Sequence, residues 1–151
     1  MKENPFASFN IEIPNKYRDS VIKHCRSNKT TDTIEFCPFE RQIDFWFVAF
    51  LFAVNKKLLP EKETDTYNAT AAHILSTDDN RISLMQISFL GLTKDISKLS
   101  DAKYVFDYCS GLANAGMPHL IQILKDEDNR PLWSVLEEVE SITKKYINGK
   151  F

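Results

Sequence analysis

Glycine is scarce in this chain, at four in 151 residues. Loops that cradle phosphate with bare backbone need several glycines within a few positions, so none can be built here. Proline is modest, at six, and no Gly/Ser-rich or Pro-rich run divides the chain. The reading is therefore a single domain over 1–151, with residues 1–7 a candidate disordered end. The cysteines, Cys25, Cys37 and Cys109, are odd in number and none has C-x-x-C spacing. A disulfide framework and a zinc ribbon are thereby set aside, and reduced thiols are expected. The opening "MKENPFASFN" lacks the apolar stretch of a secretory leader, so a cytoplasmic protein is expected. Charge of one sign is missing too. Lys and Arg number 19 against 21 Asp and Glu, for a formal net charge of −2, which rules out a chain-wide basic field for nucleic acid.

What the chain has in plenty is aromatic and apolar side chains, including eleven phenylalanines. They concentrate in "FWFVAFLFAV", Phe45–Val54, ten apolar residues without a break. A membrane-spanning helix needs about 20, and Asp44, Asn55, Lys56 and Lys57 close this run too tightly. Pro38 suits a first helical turn, Glu40 and the two lysines complement a helix dipole, and Asn55 suits a terminator. The stretch predicts a helix over about 39–56, apolar on every side, which must be covered on every side.

The remaining segments supply the cover. Phe9, Ile11 and Ile13 alternate with Asn10 and Glu12, predicting a short strand that Pro14 ends. Asn15 caps a helix to about Arg26. "IEF" at 34–36 and Ala71–Leu75 are further candidate strands. A helix over about 80–92, capped by Thr77, Asp78 or Asp79, carries Ile82, Met85, Phe89 and Leu92 on one face. The next, capped by Ser100 or Asp101, has the cleanest helical period, through Ala102, Val105, Phe106, Cys109, Leu112 and Ala113. Gly116 reads as its stop and Pro118 as a restart. Pro131 opens a last helix with Leu132, Val135, Leu136, Val139 and Ile142. The fold class is mainly α: a helical bundle around the central apolar helix, with one to three short strands near the N-terminus and before residue 76.

Chemistry is thinly represented. His24 and Cys25 are adjacent and diverge on a helix, while His73 and His119 stand alone, so no metal set forms. Cys109 lies on an apolar stripe, where a small buried hydrophobe is expected rather than a nucleophile. Asp44 reads as a first-turn acid meeting Arg41 or backbone donors, against the alternative of a functional acid within a membrane. No catalytic, cofactor-binding or metal-ligating residue is assigned, and the chain reads as a non-enzyme.

Two surfaces are singled out. Lys16, Arg18, Lys23, Arg26 and Lys29 stand against a lone acid, Asp19, in residues 15–29, while residues 126–140 hold six acids against Arg130. The five cations are the candidate nucleic-acid contact, the alternative being a solvated helix face. The strand and helix of "FNIEIPNKYRDSVIKH" are arranged as at the start of ribbon-helix-helix DNA-binding proteins, with Asn10 and Glu12 at the reading positions. On the aromatic helix, the side of Trp46, Phe50 and Ala53 is the candidate interaction surface for a protein partner or a second copy, and a partly covered helix predicts a homodimer.

"PFERQIDFWFVAFLFAV", with Phe39, Asp44 and Ala49, and "VFDYCSGLANAGMPHLIQIL", with Phe106, Tyr108, Asn114 and Gly116, flank "ISFLGLTKDISKLSD". In this order the three blocks resemble a family of small proteins encoded beside bacterial DNA phosphorothioation (Dnd-type) and related phage-defence operons. The resemblance covers most of residues 15–125, and the helix from Pro131 has no counterpart in it. It implies an accessory or regulatory role in a defence or DNA-modification complex, acting through protein–protein contact. The alternative expectation is a small DNA-binding transcriptional regulator that uses the N-terminal strand and basic helix.

Overall fold

The computed structural model describes residues 3–26, 34–125 and 130–149. The fold is mainly α. Strand β1 (Asn10–Pro14) leads through a 3-10 turn, Asn15–Tyr17, into the short helix α1 (Arg18–Lys23). The central helix α2 (Gln42–Asn55) is followed by β2 (Thr66–Ala71) and a 3-10 stretch, Ala72–Thr77. Helices α3 (Arg81–Thr93), α4 (Ala102–Leu124) and α5 (Pro131–Ile147) complete the order, with a 3-10 turn at Ile96–Lys98. No helix among the described residues is long and apolar enough to cross a membrane.

The central helix is shorter than expected because Pro38 and Phe39 are used elsewhere. Phe39 bridges to Cys25, and its ring meets Phe45 edge-on at 5.1 Å. Arg41 becomes the residue before the first turn, and Asp44 reaches back to its N–H at 3.0 Å. At the far end the left-handed position falls on Lys57 (φ 55°) and not on Asn55. Ile43, Phe45, Trp46, Phe47, Ala49, Phe50, Phe52 and Ala53 are all buried, so the helix is wrapped nearly all round by its own chain.

Its main partner is α4. The rings of Trp46 and Phe106 stack at 6.5 Å, and those of Trp46 and Phe50 at 6.4 Å. Gly116 lets the two backbones touch, since a Cβ there would stand 1.9 Å from the Ala49 carbonyl oxygen. Here the expected stop at Gly116 and restart at Pro118 give way to one helix of 23 residues. A proline inside a helix costs about 3 kcal/mol. Met117, Leu120, Ile121 and Leu124 are buried beyond or beside it, and each such side chain contributes about 1.5–3 kcal/mol. Continuity wins, with Pro118 itself on the exposed side.

β1 pairs antiparallel with β2, with Ile11 opposite Thr70, Glu12 opposite Asn68 and an irregularity between them. Ile11 and Ile13 point into the core. The strand expected at Ala71–Leu75 is thus displaced to Thr66–Ala71, and Ala72 and Leu75 are buried from a 3-10 stretch instead. Residues 34–36 form a turn, not a strand. The Glu35 carbonyl there accepts from the Leu132 N–H at 3.0 Å, which satisfies an otherwise open donor at the start of α5. Before α3 the capping position is Asn80, held left-handed (φ 71°), rather than Thr77, Asp78 or Asp79. Of the candidate disordered end, residues 3–7 are described, and Asn4 and Phe6 hold them to the fold. Phe6 is 1% exposed against Phe106, and the Asn4 amide donates to the Ala72 carbonyl at 3.1 Å.

Candidate functional site

The N-termini of α2 and α3 meet in a cluster of four charges. Asp44 Oδ1 accepts from Arg41 Nη2 and from Arg81 Nη2, both at 2.9 Å. Asp78 Oδ2 accepts from Arg41 Nη2 at 2.8 Å and lies 3.7 Å from Arg81 Nη1. The Arg81 guanidinium also sits 4.9 Å over the Phe47 ring. Arg41 is held charged by hydrogen bonds first to Asp44 and then to Asp78, and the Asp78 carboxyl lies below its usual value chiefly because Arg41 donates to it. Asp78, with its carboxylate so bonded, is a poor proton acceptor. The cluster ties α2 to α3 and is balanced in charge. Asp44 therefore sits among the cations and backbone donors of its own first turn.

Cys109 is wholly buried, its thiol 3.6 Å from the Met85 carbonyl, and burial pushes its pKa up to about 12. A thiol so raised has almost no thiolate at neutral pH and is a packing group. Cys25, Cys37 and His24 are buried as well, with a His24 ring nitrogen 2.8 Å from the Ser20 carbonyl. Among the described residues no group of three or more His, Cys, Asp or Glu could hold a metal ion.

Of the N-terminal cations, Lys16, Arg18 and Lys23 are exposed, and each has a contact of its own. Lys16 binds Glu63 at 2.5 Å, and that hydrogen bond raises its pKa. Arg18 lies 4.6 Å over the Tyr67 ring. Lys23 has a contact of its own, Arg26 is part-buried with its backbone N–H bonded to the Phe39 carbonyl at 2.9 Å and its guanidinium Nε enclosed without a hydrogen-bond partner, and Lys29 lies outside the described residues. One acid of the segment before β2, Glu63, thus folds back on Lys16, a meeting that a fifteen-residue window cannot reveal. β1, for its part, pairs with β2 of its own chain, whereas a ribbon-helix-helix protein pairs that strand with a second copy.

Asn10 and Glu12 instead line a hollow of about 830 Å³ between β1, the segment 60–66 and α4. Its floor is fixed by short-range fitting. The Glu61 N–H donates to the Gly111 carbonyl at 2.9 Å, and the Asn114 amide donates to the Glu61 carbonyl at 3.0 Å. Gly111 leaves room for Pro60, whose Cβ would be 2.6 Å from an added methyl. Asn114 Oδ1 is buried without a hydrogen-bond partner.

Trp46, Phe50 and Ala53 are each 0% exposed, so the expected interaction surface on the aromatic helix is corrected. The main cover of α2 is α4, whose Phe106 stacks on Trp46, and the indole Nε1 of Trp46 is enclosed without a hydrogen-bond partner. A run of uncovered apolar side chains lies on α5. There Trp133 is 47% exposed, Leu136 45%, Val139 47%, Tyr146 55% and Ile147 78%. Sequence reasoning counted Leu136 and Val139 as core because their spacing fits a buried stripe. Only the Val135 and Ile142 edge is packed against the core. The missed signal was width. Apolar residues on this helix span close to half a turn, more than one contact edge can cover.

No family model, curated protein or solved structure matches this chain.

Proposed function

We propose that this chain is a non-catalytic accessory or regulatory protein that acts through protein–protein contacts, within a bacterial phage-defence or DNA-modification system. The observation that carries the contact reading is the uncovered flank of α5. Large apolar side chains cost solvation free energy when left in water, and a contiguous patch of several hundred Å² on a small protein is a recurrent mark of an interaction surface. The setting comes from the resemblance. Its two flanking blocks are α2 and α4, and Asp44, Ala49, Phe106, Asn114 and Gly116 are the residues that join these helices to each other and to their neighbours. That supports a shared scaffold. The flank of α5 lies outside the resembling region and is the part specific to this chain.

The test is affinity purification of tagged protein from its native host, wild type beside Leu136→Glu. The expected result is that a defined component of a defence or DNA-modification complex co-purifies with wild type and is lost with the variant. Recovery of the same proteins with both would remove α5 from the contact. Neighbouring genes unrelated to defence would remove the setting.

A further inference from the structure

α5 is the least buried of the long helices. Eight of the 14 residues of α2 are buried and thirteen of the 23 in α4, against one of the 17 in α5, Ser134. Val135 and Ile142 are partly covered by the core, and every residue from Thr143 to Gly149 is exposed. The joint between α2 and α4 does not involve α5. Trp46 stacks on Phe106 there, and Gly116 lies on the Ala49 carbonyl. The centre of the fold therefore keeps its main contact when α5 leaves.

The hold on α5 is uneven along its length. Its start is latched to the turn at 34–36. The Leu132 N–H donates to the Glu35 carbonyl at 3.0 Å, and the Arg130 guanidinium pairs with the Glu35 carboxylate and lies 5.4 Å over the Phe36 ring. Ser134 follows, 6% exposed, with its hydroxyl enclosed and without a hydrogen-bond partner. A hydroxyl taken out of water and left unsatisfied costs free energy, so the one buried residue of the helix opposes its docking. Farther on, Glu138 lies 3.9 Å from Lys56, a long ion pair between partly exposed groups, and such pairs contribute little.

We infer that α5 is an arm that opens as a unit from its latch at Glu35 while α2 and α4 stay folded. Elements held by few buried apolar contacts open at free energies well below that of global unfolding. A free helix of this length is marginal in water, and α5 has no side-chain cap at its start, so lifting off and melting go together. Residues after Ile142 fray first, and Leu136–Glu140 follow when the latch releases. Opening frees Val135 and Ile142 beside Leu136 and Val139. The open arm offers all four side chains, whereas the closed arm presents Leu136 and Val139.

The opening needs no partner, so the experiment is hydrogen exchange on the full chain alone, read peptide by peptide by mass spectrometry. In wild type the amides of Leu136–Glu140 should exchange at least about a hundredfold faster than those of Trp46–Phe50 and Leu112–Met117. Those after Ile142 should be faster still. Glu35→Ala removes the carboxylate of the latch and should speed exchange at Leu136–Glu140 about two- to fivefold, with α2 and α4 unchanged. Ser134→Ala removes the enclosed hydroxyl and should slow the same amides more than about fivefold. Ser141→Ala, at an exposed position of α5, changes helix propensity alone and should slow them about twofold. Exchange of Leu136–Glu140 at the rate of α2 and α4 overturns the arm, because one global opening then governs all three helices. Glu35→Ala speeding α4 as much as α5 overturns the latch. Ser134→Ala no slower than Ser141→Ala overturns the part given to the buried hydroxyl.

Discussion

Gly116 of α4 lies directly against the carbonyl oxygen of Ala49 in α2, so close that an added Cβ would be 1.9 Å from it. The oxygen belongs to helix backbone and cannot swing aside as a side-chain end can. Gly116→Ala must therefore push α2 and α4 apart and loosen the stacked Trp46–Phe106 contact. The expected loss is about 3 kcal/mol or more, at or beyond the upper end for overpacking, read as a lower midpoint in urea. Gly91 in α3 is the matched control, with nothing within 4 Å of its added Cβ. Gly91→Ala should stabilise by about 0.5–1 kcal/mol through helix propensity alone.

Acid should unpick the charged cluster. Arg41 holds the Asp78 carboxyl below its ordinary 3.8. On acidification the unfolded chain takes up that proton first. The contribution of Asp78 is therefore fully present above about pH 4 and is lost as pH falls through the folded-state value. Asp78→Asn should flatten the stability–pH curve in that window and leave it unchanged near neutrality in shape. Asp44→Ala removes the acceptor shared by two arginines and should cost about 2 kcal/mol at pH 7, allowing for partial exposure of the cluster. Denaturant titrations at stepped pH decide both.

Cys109 supplies a basic-side counterpart. Burial raises its thiol from 9.0 to about 12. Above pH 9 the unfolded chain releases this proton while the folded chain keeps it, so stability declines between those values. Cys109→Ala or Cys109→Ser should abolish that part of the decline. Native protein should leave Cys109 unlabelled by a thiol reagent at pH 7 and expose it only on unfolding, and labelling at the rate of a free thiol would contradict its burial.

Trp46 is enclosed with an indole N–H that finds no acceptor. Trp46→Phe removes that open donor while keeping a ring between Phe50 and Phe106, so the two effects offset and stability should change by less than about 1 kcal/mol. Trp46→Ala leaves a cavity and should cost about 3–5 kcal/mol. The Phe variant retains only Trp133, which is 47% exposed, so its fluorescence should be red-shifted and open to iodide quenching.

Much of the scaffold was legible from local pattern. The alternation of Ile11 and Ile13, the period of α4 and the proline opening α5 each depend on neighbours a few residues away, and these elements formed. The interrupted α4 was misread because a glycine and a proline weigh heavily in a local window. Their cost is overruled by side chains buried against α2, which no window contains. The partners of Lys16 and Arg18 were not legible for a similar reason, since Glu63 and Tyr67 are remote from them in sequence. On α5 the apolar residues were correctly found and wrongly covered.

The sequence by itself determined that this chain folds as helices around Phe45–Val54. Ten consecutive apolar residues flanked by Asp44 and Lys56 are too few to span a bilayer and too many to leave in water. Only the tertiary structure decided which apolar surface stays outside. A helix apolar all round can be wrapped nearly all round when a long neighbour such as α4 lies along it, and here it does. A helix apolar over half its circumference, packed along one edge by α4, keeps the rest exposed. Which of the two was left open depends on how many neighbours reach each helix, and that is a property of the packed chain.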